Sequence, residues 1–298
     1  MKTFAITDAG ETLINQLIEF IPSQLMPSRT NRKTANYVFH SVFGRKVHRY
    51  DGIRIFVTGE NVTPDFNTSD YSVGFDHLTF GDRYKRIPLY RFYIGAYTNL
   101  CSPRQDPTTI LSTKSQFCSY VMSNTKDSAP ERISIYDALS EYKQVSSGGK
   151  WRNNVGGPVS DKIQFQSSCK FALAIENSSS PGYCTEKFAQ AAQSNCIPIY
   201  WGDPTIAQQF NSKAFINAHE YHSLADLTDA VRQIDQDDTR YLSMLAEPWF
   251  VDGKEPDELK SESIQQFLGN IFSQPYENAY RRNRSRWGIK YVKQKIRH

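Results

Sequence analysis

Two cations and two carboxylates stand where chemistry could be done. Lys187 falls in the first turn of a helix predicted to open at Thr185, and Arg132 at the start of one predicted over 131–143. A helix N-terminus presents unpaired amides and the positive end of its dipole, and amides and cations are what hold a pyrophosphate. The planar fork of an arginine suits phosphate oxygens. Either residue alone could equally be a solvated helix-face charge. Glu60 directly follows a predicted strand, and Glu186 stands beside Lys187. Glycosyl chemistry needs a carboxylate at the reacting centre, as general base toward an attacking hydroxyl or as partner to an oxocarbenium-like transition state. Both acids could also be ordinary caps or surface charges.

Other constellations do not assemble. Asp235 and Asp237 match a metal-binding Asp-x-Asp only superficially, since they lie at a junction of predicted helices where aspartates cap. The six histidines, among them His48, His77, His219 and His222, lack ligand spacing, so no metal is expected. No Gly-x-Gly-x-x-Gly supports NAD-type binding. Tyr200 and Trp201 could stack on a base or sugar, or lie in the core at a strand end.

The elements that must position these groups are clearest between Cys169 and Pro204. Phe171 to Ile175 reads as a buried strand, the Ser/Pro/Gly cluster after it as a loop, and Thr185 as the N-cap of a helix. Small residues Ala189, Ala191 and Ala192 would let that helix lie close to a sheet, and Cys196 to Tyr200 forms a second strand interrupted by Pro198. A right-handed βαβ crossover leaves the loop and helix start at the strands' carboxyl ends, where open α/β sheets hold phosphorylated ligands. Upstream, strands are predicted over 2–6, 37–43, 53–58, 71–75 and 117–123, and a helix over 11–20. Residues 22–36 read as a polar loop and 98–115 as the boundary between halves. Downstream, Ser223 and Asp226 form a capping box for a helix to about 234, followed by helices over 238–246 and 256–272. Alternating strands and helices in each half predict two Rossmann-like α/β domains facing across a cleft. Their expected extents are 1–110 and 111–275, with a basic tail over 276–298.

The 298 residues suffice for two domains. Five cysteines, an odd number without a Cys-x-x-Cys pair, argue against a disulfide framework and fit a reducing compartment. The N-terminal apolar run is too short for a signal peptide and no stretch reaches about 18 apolar residues, so a cytoplasmic protein is expected. The net charge of +4 conceals a division: residues 281–298 carry eight Lys/Arg and no acid, leaving 27 basic against 31 acidic side chains elsewhere. That balance argues against a nucleic-acid partner. In the tail, Trp287, Ile289, Tyr291, Val292 and Ile296 make an apolar stripe between the basic residues. One reading is peripheral attachment to an anionic membrane surface, at about 1 kcal/mol per basic residue. The other is a helix packed back on the protein, or merely solvated.

The runs Ala174 to Asn177, Tyr183 to Lys187 and Ile197 to Gly202, continued by Phe210-Asn211 and Ala214 to Ile216, resemble the donor-binding signature of the α-1,3/4-fucosyltransferases, glycosyltransferase family 10. Arg132, Tyr136 and the segment Tyr142 to Gly149 resemble what precedes that signature. Thr58 to Asn61, Pro64 to Asn67 and Asp70 to Asp76 resemble the N-terminal half of bacterial members. The resemblance implies a GT-B fold and inverting transfer of L-fucose from GDP-fucose to a hydroxyl, commonly O3 of GlcNAc or glucose. Acceptors of the N-acetyllactosamine, lactose or chitobiose type are implied, with no metal required. It further implies that Glu60 is the catalytic base, that Arg132, Tyr183 and Lys187 hold the donor's phosphates, and that Asn177 and Glu186 contact its sugar or ribose. Three positions depart from the commoner bacterial pattern: His77 replaces an acid, Asp203 a serine and Ile175 a phenylalanine. Asp203 would add negative charge near the donor. The alternatives are a glycoside hydrolase using Glu60 and Glu186, and a non-catalytic nucleotide-sugar-binding module.

Overall fold

A computed structural model of the chain describes residues 2–44, 47–126, 128–283 and 285–295. The chain separates into two compact units, residues 1–92 with 256–298, and residues 93–255.

In the first unit, apolar runs form the parallel strands β1 (Thr3–Ile6), β2 (Ser28–Arg29), β3 (Tyr37–His40), β4 (Ile53–Val57), β5 (Tyr71–Gly74) and β6 (Tyr84–Arg86), in the order β2-β1-β3-β4-β5-β6. β3, β4 and β5 are buried along their whole length, as expected of a parallel sheet covered on both faces. Helix α1 (Glu11–Ile18) buries Ile14, Leu17 and Ile18 against it. The segment expected to be a loop at 22–36 contributes the edge strand β2.

The second unit opens with α2 (Ile94–Cys101) and α3 (Pro107–Ser112), although 98–115 reads as a boundary by composition. Asp106 supplies the missing signal: its carboxylate accepts from the Thr109 amide at 2.8 Å, with Pro107 opening the helix. There follow β7 (Gln116–Tyr120), α4 (Glu131–Tyr142), β8 (Val145–Ser147), α5 (Lys162–Ser167), β9 (Cys169–Ile175), α6 (Glu186–Gln193), β10 (Ile197–Trp201), β11 (Ile216–Asn217), α7 (Leu224–Asp235) and α8 (Asp238–Ala246). The strands form a parallel sheet in the order β11-β10-β9-β7-β8. Pro198 pairs with Ala172 on one side only, because β11 reaches no further than Ile199 and Tyr200, so the missing donor is tolerated.

The chain then returns to the first unit with α9 (Ser261–Ser273), α10 (Tyr276–Ala279) and α11 (Arg286–Lys295). The compact units therefore divide the chain differently from the expected 1–110, 111–275 and 276–298. The reason is apolar: Ile264, Leu268, Ile271 and Phe272 of α9 are buried in the first unit's core, and the Tyr37 ring lies 4.5 Å from that of Phe272. The tail is anchored as well. Asp70, fully buried, accepts from the amides of Arg54, Arg281 and Arg282 at 2.7, 2.7 and 2.8 Å and pairs with the Arg282 guanidinium, which stacks on Tyr280. Removing one partner of such a pair costs about 3–5 kcal/mol.

At the end of β3 the His40 ring is buried beside Ser69 Oγ at 2.9 Å, and burial, with Arg54 nearby, pushes its pKa down to about 3. The unfolded chain therefore binds this proton first: stability is full above about pH 6.5 and falls by up to about 1.4 kcal/mol per unit as pH drops toward 3. Thermal melts across that window should show a steeper loss for the natural chain than for His40→Gln; equal slopes would refute the assignment.

Candidate functional site

The βαβ unit β9–α6–β10 is built as its residues suggest. β9 is buried at every position except Lys170, and its register with β10 runs from Phe171 opposite Ile197 to Ile175 opposite Trp201. Phe188, Ala189, Ala191 and Ala192 form the buried face of α6. At the carboxyl end of this sheet the chain leaves β9 as Glu176 and Asn177 and starts α6 at Glu186.

Glu176 is wholly buried, and both its oxygens are engaged. Oε1 accepts from the Thr185 amide at 2.7 Å, Oε2 from the Thr185 hydroxyl at 2.6 Å and from Lys187 Nζ at 2.8 Å. Thr185 stands at the N-cap position but makes no side-chain cap, because its hydroxyl is turned to Glu176. Glu186 Oε1 lies 3.4 Å from the same ammonium. Burial alone would lower the Lys187 pKa, but Glu176 and Glu186 outweigh it and hold it above its ordinary value. Glu186 itself is held below the carboxylate range: burial opposes this, and Lys187 and Lys162 override burial. Lys162, at the start of α5, donates to Gln190 Oε1 at 2.8 Å, and burial brings its pKa down to about 8 despite Glu186.

Arg132, 5% exposed, sits in the first turn of α4. One terminal nitrogen donates to Asn177 Oδ1 at 3.0 Å, Ser128 Oγ at 3.0 Å and Asn124 O at 3.2 Å, while its buried Nε has no partner among the described residues. Asn177 also accepts the Ala129 amide through its carbonyl at 2.8 Å, tying the two crossover loops together. Gly149 allows the loop after β8 to cross them, since a Cβ there would lie 1.9 Å from Met122 O. Tyr183 is buried, and its carbonyl accepts from the Tyr200 hydroxyl at 3.2 Å. Tyr200 is thus a core residue, and Trp201 stacks on His219 at 5.5 Å.

Five expected residues, Arg132, Asn177, Tyr183, Glu186 and Lys187, therefore gather at the carboxyl end of the second unit's sheet. Glu60 belongs to the first unit, exposed at the carboxyl end of β4, where its amide donates to Thr58 Oγ1 at 3.0 Å and its carboxylate has no partner among the described residues. Sequence reasoning missed Glu176 and Lys162. The signal for Glu176 was an acid set immediately after an unbroken apolar strand; for Lys162, a residue in the preceding crossover, there was none. Asp203 carries charge beside the site, but its Oδ1 accepts from Gly182 N, Thr205 N and Thr205 Oγ1 at 2.7, 2.8 and 2.6 Å, which commits it to the loop. Asp237 caps α8, and Asp235 pairs with Lys143 and Lys170.

Two family models match the chain: "Alpha-(1,3)-fucosyltransferase FucT N-terminal domain" over residues 7–93 and "Glycosyltransferase family 10 (fucosyltransferase) C-term" over residues 111–254. The chain is 35% identical over 271 residues to Alpha-(1,3)-fucosyltransferase FucT of Helicobacter pylori, covering 78% of this chain and 56% of that protein. A crystal structure of an alpha1,3-fucosyltransferase matches with TM-score 0.80 at 32% identity, covering 94% of this chain and 92% of that one. Another, with GDP-fucose, matches with TM-score 0.78 at 31% identity, covering 95% and 93%. These likenesses and the two parallel α/β units define a fold of the GT-B type. The chain belongs to glycosyltransferase family 10, and it spans about half the length of the curated relatives it matches.

Replacing Asp203 by Ala leaves buried amides without an acceptor and should cost about 1–3 kcal/mol. Denaturant unfolding measures this; unchanged stability would show that the carboxylate does not hold the loop.

Proposed function

We propose that the chain transfers L-fucose from GDP-fucose to an oligosaccharide hydroxyl with inversion, commonly at O3 of GlcNAc or glucose, making an α-1,3 linkage. The observation that carries this reading is the joint placement of Arg132, Asn177, Tyr183, Glu186 and Lys187 at the carboxyl end of one sheet, in a chain that matches an alpha1,3-fucosyltransferase structure with GDP-fucose over nearly its whole length. The acceptor oxygen attacks C1 of fucose as the bond from C1 to the phosphate oxygen breaks. The hydroxyl proton passes to Glu60, and GDP leaves on the opposite face. Arg132, Tyr183 and Lys187 stabilise the charge growing on the diphosphate, while Asn177 and Glu186 contact sugar or ribose. Fixed cations take the part a metal ion plays elsewhere, so no cofactor is required. N-acetyllactosamine, lactose and chitobiose are the acceptor classes to test. A hydrolase pairing Glu60 with Glu186 fits less well, because it gives Arg132 and Lys187 no part in the reaction.

Incubation with GDP-fucose and these acceptors should release GDP and fucosylated product, continuing in EDTA. Glu60→Gln should cut kcat by a factor on the order of 10²–10⁴ with GDP affinity retained. Fucoside hydrolysis without GDP, or GDP binding without turnover, would replace the transfer reading.

The tail supports a cytoplasmic enzyme attached peripherally to an anionic membrane surface. Among the described residues no helix is long and apolar enough to cross a membrane. α11 instead exposes Trp287, Ile289 and Tyr291 between Arg286, Lys290 and Lys293. Arg281 and Arg282 are committed to Asp82 and Asp70, whereas Arg284, Ile296 and Arg297 lie outside the described residues. A chain ending at Asn283 keeps the anchor and should lose co-sedimentation with phosphatidylglycerol vesicles; unchanged co-sedimentation would refute the attachment.

A further inference from the structure

We propose that Glu176 is a positioning residue for the donor's diphosphate, its buried carboxylate holding Lys187 and Thr185 so that one ammonium N–H of Lys187 faces a phosphate oxygen. This rests on the reading of Lys187 as a phosphate ligand. An ammonium has three donors. Glu176 Oε2 takes one at 2.8 Å and Thr185 Oγ1 a second at 2.9 Å, while the Thr185 hydroxyl and amide are themselves held by Glu176. Lys187 thus has two anchors that are buried, and its third N–H is left to Glu186 Oε1, 3.4 Å away, or to an incoming phosphate oxygen. Its side chain is 18% exposed and so not sealed. The same carboxylate draws the Thr185 hydroxyl off the start of α6, so the N-cap side chain takes no helix amide.

The anchoring also fixes the charge. The groups facing Lys187 are Glu176 after β9, Glu186 in α6, Tyr183 in the loop between them, Lys162 at the start of α5, Tyr93 at the start of α2 and Tyr120 at the end of β7. Without Glu176, burial would be opposed by the single carboxylate of Glu186, and the ammonium would lose its proton at lower pH. An amide at this position would set N–H donors against the ammonium or the Thr185 amide.

The test is calorimetric GDP binding to the full chain from pH 6.5 to 9.5. Relative to the natural chain, Glu176→Gln should weaken GDP about tenfold or more at the alkaline end and less at pH 6.5. Glu176→Asp should recover part of the loss, and kcat/KM for GDP-fucose should follow. Glu176 also bears on Lys162, so the comparison is repeated with Lys162→Met in both proteins, where an alkaline difference that persists reports Lys187. Equal affinity and equal pH dependence would overturn the proposal while leaving the donor site intact. Absence of GDP binding to the natural chain would overturn the phosphate reading itself. Should Glu176→Gln fail to fold by circular dichroism, Thr185→Val decides: a several-fold loss of GDP affinity with unchanged pH dependence supports the anchoring, and unchanged affinity refutes it.

Discussion

A lysine ammonium withdrawn from water stays charged only beside negative charge, and the second unit is arranged around that requirement. Desolvation pulls the Lys187 pKa down, and Glu176 and Glu186 more than restore it. Glu176 is buried at the end of β9, so its own placement depends on that strand being fully interior; its amide continues the ladder to Trp201 O at 2.8 Å. The position of the cation is therefore inherited from the sheet rather than from the mobility of a surface side chain. Arg132 gains the same security differently, through the Asn177 bond that joins the crossover after β9 to the start of α4.

The first unit solves a related problem with the signs exchanged. Asp70 is an anion without water, and it is satisfied by three amides and a guanidinium drawn from β4 and from the stretch before α11. One buried carboxylate thus closes the unit around its last segment, and α9 supplies the apolar cover. Glu60 differs from both buried acids in being exposed and unpartnered among the described residues.

Much of this was legible in the sequence where one pattern excluded others. An apolar run, a Ser/Pro/Gly loop, a small-residue helix and a second apolar run admit little besides a parallel crossover, and β9, α6 and β10 follow that reading within a few residues. Long-range choices were not legible. The apolar face of α9 would cover either sheet, and nothing local in Ile264 to Phe272 says that it returns to the first. Composition misread 98–115, where Thr, Ser and Asn occupy helices held by Asp106 and by packing. Thr185 is the subtlest case: it stands where a cap belongs, but its hydroxyl goes to a carboxylate nine residues earlier, a preference set by the buried charge and invisible to local propensity.

The same charge balance bears on what the site can select. Lys162 and Lys187 both face Glu176 and Glu186, and Arg132 lies near Lys162, so three cations stand against two carboxylates. A cluster of cations alone would repel itself in the empty protein and attract any polyanion. Under the proposed reading, with the carboxylates present, an arriving anion would gain little from net charge and would gain instead from geometry, from the Arg132 guanidinium and the Lys187 ammonium. Such contacts strengthen as a phosphate oxygen takes on charge during bond breaking, whereas a diffuse field binds donor and product alike. Under that reading, compensating the cations would cost ground-state affinity and preserve what acts on the transition state.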